Sequence, residues 1–118
     1  MKYMLMFWVD ESAEPLPDEE ETAWMAAIRS WVDEMTERGI LLHGSPLSLA
    51  ANAAIVRVRD GETLVSDGPY AETKEQVGGY DLIEFADLDT AIEVAAAHPL
   101  ANTATIEVRA LEDLPGDQ

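Results

Sequence analysis

The sequence contains two histidines, His43 and His98, and no cysteine. Imidazole changes its charge near neutral pH, so histidine is the side chain best suited to proton transfer. His98 stands before Pro99 at the end of a predicted helix, where it is either a proton-transfer group or a residue that the helix dipole favours. His43 lies among apolar residues of a predicted strand, which indicates a core or interface residue or else a ligand-binding one.

A second group of polar candidates lies in the loop that follows Asp67. Pro69 fixes its own φ and restricts Gly68 to extended conformations, which predicts a tight turn. The carboxylate of Asp67 either closes this turn on backbone N–H groups or forms a catalytic pair with His98. The two catalytic candidates of the sequence, His98 and Asp67, therefore lie on different predicted elements.

Three more side chains are candidate ligand-binding residues, as His43 is, and each has a structural alternative. Tyr70 carries a hydroxyl that a binding pocket can use, or its ring simply packs. Lys74 lies in an acidic loop, where pairing with Glu72 or Glu75 is the alternative to ligand binding. Arg109 in the last predicted strand can bind a substrate carboxylate with two nitrogens, or it pairs with a carboxylate of the first helix or the loop.

No sequence motif indicates a metal or a cofactor. The two histidines lie on different predicted elements, neither with a partner one helical turn away, so we predict no metal site. The sequence has no P-loop, no dinucleotide fingerprint, no Gly-x-Ser-x-Gly and no His-Glu-x-x-His, so we predict no cofactor. Gly78 and Gly79 precede a strand rather than a helix, which indicates a bulge or a close backbone approach and not a phosphate site.

Composition restricts the class of protein. The 118 residues are 47% hydrophobic, which predicts one folded domain over residues 1–111 followed by an acidic tail, 112–118. The net charge of −17, from 24 acidic and 7 basic residues, argues against nucleic acid and anionic membranes as partners. The acidic surface favours solubility or a basic protein partner. Without a signal-peptide pattern or a membrane-spanning apolar run, we predict a cytoplasmic location.

Hydrophobic periodicity predicts six strands and two helices. The strands are 2–9, 40–47, 53–59, 63–65, 78–85 and 104–111, and the helices are 18–38 and 88–98. The first helix buries Trp24, Ile28, Trp31 and Met35, widened by Met25 and Val32, and lacks a side-chain cap. The second begins at an Asp87 cap and buries Leu88, Ala91, Ile92 and Ala95. Strand 53–59 alternates as a half-buried strand, and Asp60-Gly61 predicts a hairpin turn.

This order is a split βαβ arrangement with a hairpin insert, an antiparallel sheet and both helices on one face, hence an α+β fold. The opposite face of such a sheet is too apolar to stay exposed. We therefore predict a homodimer that buries it against a second copy.

The run Asp-Gly-Pro-Tyr-Ala-Glu-Thr-Lys-Glu at 67–75, followed by Gly78-Gly79-Tyr80, resembles the signature of the DGPF-domain branch of the YCII-related family. Residues 1–5, 58–61, 87–89 and 106–109 also match the family pattern, so the resemblance covers almost the whole chain. Tyr70 stands where the family usually has Phe, and Ala110 where Pro usually follows the Arg. The resemblance implies a ferredoxin-like dimeric α+β barrel.

For function, the resemblance implies a small-molecule-binding protein or a cofactor-free enzyme that acts on small, often ring-shaped substrates by proton-transfer, lyase, hydrolase or oxygenase chemistry. The wider family has a suspected His–Asp pair, with the His on the first helix and the Asp before the helix-ending Pro. This chain has no His on its first helix and has His98 in the Asp position, so the pair is not carried over. Two alternatives remain: a regulatory module associated with an extracytoplasmic-function sigma factor, and a structural dimer without a ligand.

Overall fold

A computed structural model describes residues 1–116, so the last two residues of the predicted acidic tail lie outside the described residues. The strands are β1 (Lys2–Val9), β2 (Leu41–Pro46), β3 (Ala54–Arg59), β4 (Glu62–Asp67), β5 (Gln76–Glu84) and β6 (Thr105–Ala110). The helices are α1 (Asp18–Glu37) and α2 (Leu88–Ala96), with short 3₁₀ turns at Ala50–Asn52 and Pro99–Asn102. The predicted order of strands and helices is confirmed.

Four strands form one sheet in the order β2-β5-β1-β6, and every neighbouring pair is antiparallel. The two central strands, β1 and β5, are each the first strand of one β-α-β unit, and they pair with each other. This is the ferredoxin-like arrangement, and it confirms the predicted α+β fold class. No helix within residues 1–116 is long and apolar enough to cross a membrane.

The core lies between one face of this sheet and the two helices. Alternate β1 residues Tyr3, Leu5 and Phe7 are buried, because successive side chains of a strand point to opposite faces. They pack in one cluster with Ile83 of β5 and with buried residues of both helices, which are Trp31, Met35, Ala91, Val94 and Ala95. The other face of the sheet, called here the open face, carries Met4, Met6, Trp8, Tyr80 and Leu82 and is half-buried.

Helix α1 begins at Asp18, and the preceding Pro17 provides no side-chain hydrogen bond to its N-terminus, as predicted. Four acidic residues fill the first turn. The predicted core stripe is only partly correct. Trp31 and Met35 are buried, whereas Trp24, Ile28 and Val32 are half-buried and Met25 is exposed. The N-terminal half of α1 therefore covers a cavity, and its apolar side chains line that cavity instead of entering the core.

Helix α2 begins at the predicted cap, because the Oδ1 of Asp87 accepts a hydrogen bond from the Thr90 backbone N–H at 2.8 Å. The predicted stripe is wrong at Leu88 and Ile92, which are exposed. Ala91, Val94 and Ala95 form the face of α2 that packs on the sheet. Leu88 and Ile92 lie at the edge of that face and remain exposed.

Strands β3 and β4 form a separate two-stranded hairpin, which does not pair with the four-stranded sheet. Asp60 and Gly61 have φ values of 52° and 76°, the left-handed pair that closes a tight hairpin, so the predicted turn is confirmed. The predicted half-burial of this strand is wrong. The hairpin is exposed along nearly its whole length, including four large apolar residues, Val56, Val58, Leu64 and Val65.

Candidate functional site

A pocket of about 570 Å³ lies between the N-terminal half of α1 and the sheet. Its walls are mostly apolar and include Phe7, Val9, Met25, Ile28, Val32 and Leu41. Its floor is formed where β2 and β5 carry glycines, at Gly44 and Gly79. A pocket of this size between a helix and a sheet is typical of small-molecule sites.

The glycines shape the pocket, because Gly79 leaves its part of the inward face without a side chain and Gly44 leaves the space that the Asp81 carboxylate occupies. Gly79 lies opposite Phe7 of β1, so its missing side chain would point toward α1. A Cβ at Gly79 would lie 3.2 Å from the Ser45 carbonyl oxygen, so the strands are closely packed there. The register of β1 and β5 shifts between Phe7 and Trp8, which leaves Gly78 as the extra residue and confirms the predicted bulge.

Asp81 of β5 is the acidic side chain of the pocket. It lies opposite the buried Leu5, so it points toward the helices, and it is only 8% exposed. Within the described residues no hydrogen bond reaches its carboxylate and no cation pairs with it. Burial therefore disfavours the charged form and raises the pKa of Asp81 to about 7.

His98 is the second ionisable group of the same pocket and is 3% exposed. Its ring lies between the rings of Phe7 and Trp31, with centroid distances of 4.8 and 4.5 Å. Burial lowers the pKa of His98 to about 4, so the imidazole is neutral at pH 7. The Leu100 backbone N–H donates to Nδ1 at 3.0 Å, which makes Nδ1 the acceptor and leaves the proton on Nε2.

Asp81 and His98 are the two buried polar side chains of the described residues, and both line one apolar pocket. An acid with a pKa near 7 can accept and return a proton at neutral pH at little cost. A neutral imidazole with Nε2–H adds a hydrogen-bond donor. The arrangement can therefore move a proton and hold an oxygen atom.

The structure places Asp67 elsewhere, at the exposed end of β4. Its carboxylate makes no hydrogen bond with His98 or with the turn in residues 1–116. The Gly68 N–H that follows Asp67 donates to the Ala53 carbonyl oxygen at 2.6 Å, which continues the β3–β4 pairing by one bond. The chain thus brings His98 together with Asp81 and not with Asp67.

Two predicted ligand-binding residues lie on the open face of the sheet. His43 of β2 is exposed, and its Nδ1 is 2.9 Å from the Tyr80 hydroxyl oxygen. Arg109 of β6 pairs with Glu107 of the same strand, which also accepts a hydrogen bond from the Trp8 indole at 3.0 Å. The predicted alternative for Arg109, a carboxylate of α1 or the loop, is wrong, because the nearest carboxylate lies two residues away on its own strand.

The other two predicted ligand-binding residues, Tyr70 and Lys74, lie outside the main pocket. Tyr70 is 73% exposed, and the Arg57 guanidinium lies 5.3 Å from its ring centroid. Its side chain borders a second, open cavity of about 640 Å³ beside the 3₁₀ turn Ala50–Asn52. Lys74 is exposed and forms no salt bridge with Glu72 or Glu75 in the described residues. None of the described residues form a group of three or more metal-binding side chains.

Sequence reasoning missed Asp81. Its signal was present, because residues 79, 81, 83 and 85 share one face of the predicted strand, and a carboxylate interrupts that otherwise apolar face. It also missed the indole N–H groups of Trp24 and Trp31, which were assigned to the helix core. Both Nε1 atoms are buried without a hydrogen-bond partner in residues 1–116, and Trp24 lines the pocket.

Comparison with known proteins gives three findings. A family model described as the YCII-related domain matches residues 1–115. An uncharacterized protein of Rhizobium meliloti (strain 1021) is 38% identical over 114 residues, which cover 94% of this chain and 92% of that protein. The solved 5-chloro-2-hydroxyhydroquinone dehydrochlorinase of Burkholderia phenoliruptrix AC1100, in complex with 2,5-dihydroxybenzoquinone, aligns over 100% of both chains with a TM-score of 0.55 and 12% identity. At 12% identity this similarity shows a shared fold and nothing about activity.

Proposed function

The chain belongs to the YCII-related domain family, and on that premise we propose that it is a small-molecule-binding enzyme that transfers a proton without a cofactor. Asp81 is the proton-transfer group, and the substrate is a ring compound that enters the pocket under α1. We also assign the chain to the DGPF branch of the family, on the motif at 67–75. His98 keeps the role of a site residue, with Asp81 in place of Asp67 as its partner.

The observation that carries this proposal is the burial of Asp81 in a mostly apolar pocket that it shares with His98. A buried carboxylate without a cation or a hydrogen-bond donor costs free energy, and strongly perturbed carboxylates in clefts cluster at functional sites. The structural neighbour that binds a dihydroxybenzoquinone adds support for a ring-shaped ligand in a fold of this type.

In the proposed reaction the Asp81 carboxylate removes a proton from a ring carbon next to a carbonyl group. The C–H bond breaks, its electron pair forms the double bond of an enolate, and the carbonyl oxygen takes the negative charge. The Nε2–H of His98 donates a hydrogen bond to that oxygen. Asp81 then returns the proton to the same or another ring carbon, so the step needs no oxidant or reductant.

The test is exchange of ring protons for deuterium in D₂O, followed by NMR with cyclohexanone, cyclohexenone and tetralone as probes. We expect the native protein to catalyse exchange and Asp81→Asn to lose about 100-fold of the rate, the usual contribution of a general base. Asp89→Asn is the matched control, because Asp89 is exposed on the first turn of α2. Equal rates in the native protein and Asp81→Asn, or no exchange with any probe, would contradict the proposal.

We propose further that the active form is a cytoplasmic homodimer that buries the open face. The open face is made largely of half-buried Met4, Met6, Trp8, Tyr80 and Leu82, and the β3–β4 hairpin exposes further apolar residues beside it. Large apolar patches of this kind are usually covered in solution.

The second candidate function is regulatory. The exposed apolar hairpin and the net charge of −17 together suit a partner with a basic, partly apolar surface, such as an extracytoplasmic-function sigma factor. Isothermal titration with a sigma factor from the same genome checks it. Micromolar binding that Val65→Asp on β4 removes would support the regulatory function, and no heat of binding would exclude that partner.

A further inference from the structure

Arg29 is a positive charge on the wall of the pocket, and no carboxylate neutralises it. Asp33, one turn further along α1, lies on the same side of the helix but forms no salt bridge with Arg29. Within residues 1–116 the salt bridge present is the one between Arg109 and Glu107.

The Trp24 side chain lines the same pocket. Its Nε1 atom is shielded from solvent, so a ligand in the open pocket has no access to that donor and meets the apolar indole ring. Arg29 and Trp24 lie five residues apart on α1, and both side chains line the pocket.

We propose that the ligand is a flat, mostly apolar ring that carries one negatively charged oxygen group, a carboxylate or a phenolate, held by Arg29. This inference rests on the proposed function and names its substrate class. The ring lies over Gly79, where the floor has no side chain, and its far edge reaches Asp81. One end of the molecule is therefore held by charge at the rim while the other end meets the proton-transfer group.

The distribution of charge within the pocket favours an anion over a cation. Arg29 is the cationic side chain among the lining residues, and the acidic one, Asp81, lies at the floor without any cation beside it. The opposing effect is the net charge of −17, which repels anions at long range. At physiological salt such repulsion is screened beyond about 8 Å, whereas the exposed Arg29 guanidinium can meet a carboxylate at contact distance with two aligned hydrogen bonds.

The test compares three probes of one shape: naphthoate, its neutral amide naphthamide, and the cation naphthylmethylammonium. Binding is followed by NMR on the indole N–H signals of the three tryptophans, since Trp24 lines the pocket and Trp8 lies on the open face. We expect naphthoate to bind about tenfold more tightly than naphthamide, as for a hydrogen bond to a charged group, and to shift the Trp24 signal.

Arg29→Gln is expected to abolish the preference for naphthoate, while Arg38→Gln retains it. Arg38 is a matched control, because it is an exposed arginine at the C-terminal end of the same helix and does not line the pocket. Equal affinities of naphthoate and naphthamide, tighter binding of the cation, or a preference that survives Arg29→Gln would each overturn the inference. These outcomes leave the proton-exchange assay untouched, so failure of the substrate class and failure of the proposed function are distinguishable.

Discussion

Gly44 of β2 lies directly opposite Asp81 of β5, and the Asp81 carboxylate occupies the space that a side chain at position 44 would fill. A methyl group on Gly44 would overlap the Oδ1 atom. The position of the proposed proton-transfer group therefore depends on a residue of the neighbouring strand that has no side chain at all.

We expect Gly44→Ala to move the Asp81 carboxylate out of its buried position and to destabilise the fold by about 1–3 kcal/mol through overpacking. The rate of proton exchange should fall in this variant, and the pKa of Asp81 measured by carbon-13 NMR should move toward the ordinary range of an aspartate. Ser45→Ala is the control, because Ser45 points to the open face. An unchanged titration of Asp81 in Gly44→Ala would contradict this relationship.

Asp81 also makes stability depend on pH. Its pKa of about 7 in the folded protein exceeds the ordinary value of 3.8, so the folded state holds a proton that the unfolded state has released. The free energy of unfolding therefore falls as pH rises from about 4 to about 7 and is constant above that. We expect Asp81→Asn to be more stable than the native protein at pH 8, by about 2 kcal/mol after allowance for solvent screening, and nearly equal at pH 4. Urea denaturation at the two pH values measures the difference.

His98 has the opposite dependence. Its pKa of about 4 lies below the ordinary 6.5, so between these values the unfolded state binds a proton that the folded state does not. The stability contributed by neutral His98 is complete above about pH 6.5 and is lost as pH falls toward 4. We expect His98→Gln, compared with the native protein, to lose less stability on acidification from pH 7 to pH 4.5. A parallel decline of both proteins in urea titrations would show that His98 titrates as an exposed imidazole.

The cap of α2 gives a prediction that involves no ligand. Asp87 accepts hydrogen bonds from both the backbone N–H and the hydroxyl of Thr90 at 2.8 Å. Asp87→Ala should lower the free energy of unfolding by about 1 kcal/mol, and Asp87→Asn by less, because asparagine also caps. Thermal unfolding of the two variants checks the order. Equal effects of alanine and asparagine would mean that the charge of Asp87, and not the cap, is what matters.

The proposed homodimer predicts that a charge on the open face prevents association. Met6 lies near the centre of this face, opposite Tyr80 and Glu107. Met6→Glu would bury a carboxylate at the interface, so we expect a monomer in sedimentation experiments where the native protein is a dimer. Ala26→Glu on the exposed side of α1 serves as the control. A native protein that sediments as a monomer would remove the dimer from the proposal.

Local pattern was enough to predict much of this fold. The alternation in residues 2–9, the Asp87 cap and the Asp60-Gly61 turn each depend on neighbours in the sequence, and the structure contains all three. The prediction that strand 53–59 is half-buried was wrong. Alternation shows that a strand has one apolar and one polar face, but it does not show whether another part of the protein covers the apolar face. The hairpin pairs only with itself, and nothing in its own residues indicates that.

The site was harder to predict, because its members are brought together by register between strands distant in the sequence. His98 was predicted from its residue type and its place before Pro99, and the structure places it in the pocket. Asp81 was missed because its role depends on Gly44, which lies 37 positions away and becomes its neighbour only through the pairing of β2 with β5. Trp24 was assigned to the core because helical periodicity alone does not distinguish a side chain that fills a core from one that lines a cavity.

The bare floor at Gly79 suggests how this scaffold could acquire new substrate ranges. A larger residue at Gly79 would take room away from the pocket, whereas at Gly44 the Asp81 carboxylate already fills that space. Chains of this fold with Ala or Ser at the position of Gly79 would accept shorter molecules. Substrate selectivity could then change through single substitutions in the floor of the pocket, while the residues of its walls stay the same.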